Sequence, residues 1–229
     1  MMTRPNRIAL ACALVTAPIL LGASEALRKS VEQGRTHSDD NVADAGEKIT
    51  QVAANIPMWH LHGYLTLVGA LAWLGAMIAL AYLISERRPV LGLVGGILGL
   101  GSALGWAVHL GFYTVQLSVS AAVADDDLDA AATVFAAGDS DSFGMAMVVF
   151  FIATNLLAHV VLGYGLWRAR VVPWWAAACL PAYPLLVLDP GSSPWWGALF
   201  MILLVPFTIV AGRLLRNDSV ARRRELALD

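Results

Sequence analysis

Six apolar runs, each close to the length that crosses a lipid bilayer, constrain this chain more than any other feature. They cover about residues 7–24, 60–84, 89–118, 143–167, 172–188 and 194–213. A membrane-spanning helix needs about 20 mostly apolar residues. Hydrophobic residues make up 58% of the chain and charged residues only 14%, which leaves too little polar surface for a water-soluble globule. We predict an all-α, polytopic membrane helix bundle with six transmembrane helices in a single domain over 1–229.

The connections between these runs sort the charged residues by sign. Eleven of the 15 Lys and Arg residues lie before the first run, between the second and third, between the fourth and fifth, or after the last. The opposite connections include the outer loops 25–58 and 119–142 and hold 13 of the 17 acids. By the positive-inside rule this pattern predicts a plasma-membrane protein with both termini in the cytoplasm.

The first run supports two interpretations. A basic start, an apolar core of about 15 residues and small residues after it are typical of a secretory signal peptide. The same run is long enough to remain as an uncleaved anchor. Five spans would be left after cleavage, with the orientation of the others unchanged.

The first outer loop has helical periodicity. Its apolar residues recur every three or four positions and the pattern ends before Pro57: Val42, Ala45, Ile49, Val52 and Ile56. This spacing predicts an amphipathic helix on the outer face. The second outer loop favours a shorter helix from Leu128 to Phe135.

Polar residues within the spans mark inward faces. In the third span they recur at spacings of four and three, so that they share one face: Ser102, Trp106, His109, Tyr113, Gln116 and Ser120. The second span carries His62 and Thr66 in a similar row, and Asn155 and His159 lie one turn apart in the fourth. The third span is also rich in glycine, which favours close helix packing and, through 89–118, a protein partner or a homo-oligomer.

Metal binding is one hypothesis for the outer half of the bundle. Thioether and imidazole ligands suit copper, and they occur near one membrane boundary as Met58, His60, His62, Met145 and Met147. Residues two apart on a regular helix diverge by about 200°, so His60 and His62 could share one ion only if the backbone near Trp59 were irregular.

Haem b is a second cofactor hypothesis. Two axial histidines must lie at similar depth, and at about 1.5 Å per residue His62 and His109 are close enough whereas His109 and His159 are not. The sequence therefore allows one haem site at His62 and His109. Interfacial and structural roles for these histidines remain open alternatives.

Enzymatic activity has little support. No Asp, Glu, Lys or Arg lies deep within a predicted span, although such groups are typical of proton pumps and ion-coupled carriers. His109 and Tyr113, one turn apart, are the candidate catalytic residues because such a pair can transfer a proton.

Two segments resemble a diffuse group of uncharacterised bacterial six-span membrane proteins. They are "MWHLHGYLTLVGAL" and "GYGLWRARVVPWWAAACLPAYPLL", with Trp59 and His62 in the first and Trp167, Arg168 and Pro173 in the second. The resemblance implies the six-span architecture and implies no chemistry or site.

Three functions follow as hypotheses. The first is a non-catalytic membrane module or subunit that acts through its extracytoplasmic loops. The second is a copper- or haem-binding protein, and the third is an enzyme or carrier for a lipophilic small molecule. The lipid bilayer is the expected environment, and the absence of a basic patch interleaved with exposed aromatics argues against nucleic acid as a partner.

Overall fold

The computed structural model describes residues 2–32, 41–124, 126–139, 142–187 and 196–225. Within these residues the protein is all-helical, which confirms the predicted class. The helices are α1 (Arg4–Val31), α2 (Asn41–Ala54), α3 (Ile56–Ser85), α4 (Pro89–Gly105), α5 (Gly111–Val123), α6 (Leu128–Asp139), α7 (Ser142–Arg168), α8 (Trp174–Val187), α9 (Trp196–Leu199) and α10 (Leu204–Glu225). A π-helical turn, Trp106–Leu110, joins α4 to α5, and a 3₁₀ turn, Phe200–Leu203, joins α9 to α10.

Five helical segments in the described part of the chain are long and apolar enough to cross a membrane: Arg4–Val31, Ile56–Ser85, Pro89–Val123, Gly144–Arg168 and Gly197–Arg216. The predicted fifth run forms α8, but this helix has 14 residues. It is therefore shorter than the roughly 20 residues of a full crossing.

The long helices pack side by side. Helix α1 packs on α3, α3 on α4, α4 on α7, α7 on α8, α8 on α10, and α10 on α1. Glycines of the third span allow close approach: a Cβ on Gly99 would lie 2.8 Å from that of Met77 in α3, and one on Gly105 would lie 2.6 Å from the Phe151 ring in α7. The predicted close packing is confirmed, between helices of this same chain. Association with a partner through this span stays a prediction.

The buried apolar side chains form two separate cores. The larger lies within the bundle and includes Trp73, Leu80 and Phe207. The smaller includes Ile49, Val52 and Phe135, from α2 and α6, packed with the adjoining ends of α1, α3 and α5. We call this second unit, α2 with α6 and the helix ends that they cover, the outer cap.

The outer cap accounts for much of the two predicted outer loops. Ala45, Ile49 and Val52 are buried on one face of α2, as the periodicity predicts. That face packs on α5 and α6 of this chain, so the protein covers it, whereas a helix lying on the membrane would cover it with lipid. Helix α1 also continues to Val31, seven residues beyond the predicted end of the first span.

Candidate functional site

A buried polar layer separates the two apolar cores. It consists of Ser24 on α1, His62 and Thr66 on α3, and Thr114 on α5, all less than a tenth exposed. Since unpartnered polar groups are costly in an apolar interior, each must find a partner there. The layer therefore ties together the three helices that carry the outer cap.

Both ring nitrogens of His62 are engaged. Nδ1 lies 3.0 Å from the Ser24 carbonyl oxygen and 2.8 Å from the Ser24 hydroxyl, and Nε2 lies 3.3 Å from the Thr114 hydroxyl. A carbonyl oxygen can only accept, so the proton is assigned to Nδ1, and Nε2 accepts from Thr114 in the neutral ring.

Ser24 connects this histidine to the next turn of α3. Its hydroxyl donates to the His62 carbonyl oxygen at 3.0 Å and lies 2.6 Å from the hydroxyl of Thr66. The Trp59 ring covers the imidazole, with centroids 5.0 Å apart, and its Nε1 donates to the Thr114 carbonyl oxygen at 3.2 Å. These groups satisfy one another and leave His62 fully buried.

A charged cluster lies one turn further out, at the end of α1. Arg28 donates to Glu25 through Nε, at 3.0 Å, and to Glu32 through a terminal nitrogen, at 2.8 Å. Tyr113 of α5 donates its hydroxyl to the other oxygen of Glu32 at 3.1 Å. The Glu32 side chain is 5% exposed and that of Arg28 18%. Because this cluster contains two carboxylates and one guanidinium, it has a net charge of about −1 and lies beside the outer cap.

Of the predicted catalytic pair, His109 and Tyr113, the structure describes the side chain of Tyr113. Tyr113 hydrogen-bonds to Glu32 and packs edge-on against Trp59 and Phe135. The backbone of His109 lies in the π-helical turn. Its side chain lies outside the described part of the structure, so its pairing with Tyr113, or with His62 around a haem, stays a prediction.

Three of the predicted copper ligands lie on α3 and two, Met145 and Met147, lie on α7. Because the backbone around Trp59 is regular helix, His60 is exposed and His62 is buried. Met58 and Met145 are 38% and 55% exposed, and Met147 is half-buried. The structure therefore does not bring His60 and His62 together. Among the described residues, no group of three or more His, Cys, Asp or Glu side chains is placed to hold a metal ion.

A second polar group lies deeper in the bundle. Ser102 donates to the side-chain oxygen of Asn155 at 2.8 Å and accepts from Trp73 Nε1 at 3.2 Å. His159 Nδ1 donates to the backbone oxygen of Asn155 at 2.6 Å. The rings of Trp73 and Tyr183 enclose His159, with centroids 5.4 and 5.2 Å from the imidazole. Within the described residues, His159 Nε2 and the Tyr183 hydroxyl have no hydrogen-bond partner.

An open groove of about 400 Å³ lies beside the polar layer, between α3 and α5. Its outer end carries His60 and Ser118, and its inner end carries Leu67 and Gly111. Thr114 borders the groove with its neighbour Val115, while its hydroxyl points to His62. The groove therefore grades from polar to apolar with depth.

The sequence did not identify several residues of the polar layer. Ser24 and Thr114 escaped because a single hydroxyl in an apolar run is common and has no distinctive spacing. The charged cluster had a usable signal, because Glu25, Arg28 and Glu32 follow one another at three and four residues and so share a helical face. That spacing predicts that α1 continues beyond residue 24.

No family model matches the chain, and neither the curated proteins nor the solved structures contain a significant match to it. Membership of the six-span group stays a prediction.

Proposed function

We propose that this protein is a six-span protein of the plasma membrane, with both termini in the cytoplasm. The arginines support this orientation, since those after α3, after α7 and on α10 collect at one end of the bundle. Arg87 and Arg213, for example, donate at 2.9 Å to the carbonyl oxygens of Ala169 and Arg170. We call this the arginine-rich end, and cationic side chains are retained on the cytoplasmic side.

The positions of the residues just before and just after α8 support six crossings. Arg170, before α8, lies at the arginine-rich end. Gly197, after it, lies near the outer end of α1, where a Cβ on Gly22 would approach its carbonyl oxygen to 2.6 Å. Arg170 and Gly197 therefore lie toward opposite ends of the bundle, which supports a sixth crossing between them.

Retention of the first helix as an uncleaved anchor is supported by its packing. Leu14, Ala17 and Leu21 of α1 are fully buried in the bundle core, and Ser24 completes the polar layer. Cleavage near residue 24 would remove the α1 side chains that contribute to the bundle core and to the polar layer.

The protein functions as a non-catalytic membrane module that presents the outer cap to a protein partner. One observation carries this proposal: the cap has its own apolar core, fixed to the bundle by a polar layer whose side chains bond to one another. Such a layer offers rigidity, and it leaves no free acid or base for catalysis at His62. The cap surface carries exposed carboxylates at Asp126, Asp127 and Asp129, which favour a partner with a basic face.

The size of the particle in native lipid tests this proposal. The full chain, extracted from its own membrane in polymer-bounded lipid discs, is expected to sediment with more protein mass than its own 24.4 kDa. Val134→Lys, on the exposed face of α6, is expected to reduce the assembly to single chains. Val90→Lys is the matched control, because the two valines are 70% and 72% exposed at opposite ends of the molecule. A solitary wild-type chain would contradict the proposal, as would equal effects of the two substitutions.

The groove between α3 and α5 supports a second candidate function, the binding of a lipophilic molecule with a polar head. His60 and Ser118 would meet the head and Leu67 the chain. Gly111→Leu would fill open space, because a Cβ there meets nothing within 4 Å. Thermal stabilisation of the wild type by an amphiphile, lost in this variant, would favour this function. Equal stabilisation of both proteins would argue against it.

A further inference from the structure

A second groove, of about 430 Å³, lies between α7 and α8 at the arginine-rich end. Its lining includes the small residues Gly163, Ala177 and Ala178 and the aromatic residues Tyr164, Trp167 and Trp174. Its lining is almost wholly apolar and it opens to the surface. Trp167 and Trp174 are 46% and 69% exposed, as expected of residues at the level of lipid head groups.

Arginines cluster at the link between α7 and α8, next to this groove. The Arg168 guanidinium lies 5.9 Å from the centre of the Trp167 ring. Arg87 and Arg213 come from other parts of the chain and each uses one terminal nitrogen on the α7–α8 link. All three side chains, and that of Arg170, are exposed. Glu86 is the one carboxylate at this end among the side chains that the structure describes.

Arg170 occupies a backbone position that glycine usually takes. Its φ of 54° is left-handed. The amides of Arg170 and Val171 close α7 by bonding to the carbonyl oxygens of Trp167 and Leu166, at 2.9 Å each, which is the Schellman pattern. An arginine here costs conformational energy that a glycine would not, and it adds a positive charge beside the groove.

We propose that this groove binds one anionic phospholipid of the surrounding leaflet. An acyl chain lies between α7 and α8, and the phosphate contacts Arg168 and Arg170. Charge complementarity selects this occupant: a neutral lipid would fill the apolar groove equally well but would leave the arginine cluster without an anion. Basic pockets between transmembrane helices bind anionic head groups for this reason. Lipid binding in this groove is independent of what the outer cap binds.

Lipid binding to the purified full-length protein tests the proposal. Phosphatidylglycerol and phosphatidylcholine with the same acyl chains are titrated in neutral detergent, and retained lipid is counted by native mass spectrometry. We expect one tightly held phosphatidylglycerol and at least tenfold weaker phosphatidylcholine. Arg170→Gly is expected to weaken the anionic lipid about fivefold, the contribution of one arginine near such a surface, while keeping or raising thermal stability.

A second variant tests the groove itself. Ala178→Phe fills the groove from an exposed position and is expected to abolish the tightly held lipid, whereas Ala153→Phe, on an exposed part of α7 outside the groove, is expected to retain it. Equal affinity for the two lipids would overturn the proposal, as would unchanged binding in Arg170→Gly. Full competition by glycerol phosphate would instead identify a free-anion site. A dimer dissociated by Ala178→Phe would show that a second copy fills the groove.

Discussion

At the scale of single residues, burial separates two histidines that the sequence presents as a pair. His60 faces outward, and His62 bonds through both ring nitrogens to α1 and α5. His62 therefore acts here as a structural link between helices. Copper or haem coordination at His62 would require breaking the contact with Ser24 or the contact with Thr114.

Replacing His62 tests this role. We expect His62→Ala to lower the free energy of unfolding by about 2 kcal/mol, because Ser24, Thr66 and Thr114 lose a partner in an apolar interior. His60→Ala, two residues earlier on the exposed face, is expected to change it by less than about 0.5 kcal/mol. Reversible unfolding in mixed micelles measures both. Equal effects of the two substitutions would show that the buried contacts of His62 contribute nothing to the free energy of unfolding.

Sequence patterns predicted some of these residues and missed others. Burial of His62 and Thr66 on one face of α3 is confirmed, because the 3.6-residue period is strong in a long span. Thr114 could not be recognised, because its role depends on a change of helical register between α4 and α5. Glu25, Arg28 and Glu32 were assigned to a loop since the apolar run ends before them, although their spacing is helical.

At the scale of the elements, the π-helical turn Trp106–Leu110 decides which residues of α5 face inward. Ser102, Trp106 and Ser120 lie on the predicted face and are buried. Just beyond the turn, however, Tyr113 and Gln116 of that face are only half-buried, and Thr114, Leu117 and Ala121 are buried instead. A π-turn holds one residue more than an α-turn, so it moves the inward face by one position. This moves Thr114 into the place predicted for Tyr113.

Single-residue deletions test the role of this turn. Removing Val108, an exposed residue within it, is expected to convert the turn to regular helix and leave α4 and α5 in register. Removing Val115, an exposed residue of regular α5, is expected to rotate Leu117 and Ala121 out of the cap core. The second deletion is expected to cost at least about 2 kcal/mol, from the lost burial of Leu117. Similar melting temperatures for both proteins would contradict this account of the turn.

At the scale of the whole molecule, the protein combines a membrane bundle with a folded cap. Length explains part of this: α1 has 28 residues and is about 42 Å long, against a hydrocarbon core of about 30 Å. The excess length corresponds to its last turns, which carry the charged cluster that Tyr113 of α5 contacts. A hydropathy pattern finds the spans, but it cannot show that two loops between them pack on each other, because that contact is far apart in sequence.

The side of the membrane on which the cap lies is the central claim, and cysteine labelling in intact cells tests it most directly. Cys12 and Cys179 are first replaced by serine, and Thr50→Cys, on the exposed face of α2, is compared with Arg88→Cys, at the arginine-rich end. With a membrane-impermeant maleimide, we predict that Thr50→Cys is labelled in intact cells and Arg88→Cys only after permeabilisation. The reverse pattern would place the cap in the cytoplasm and contradict the account.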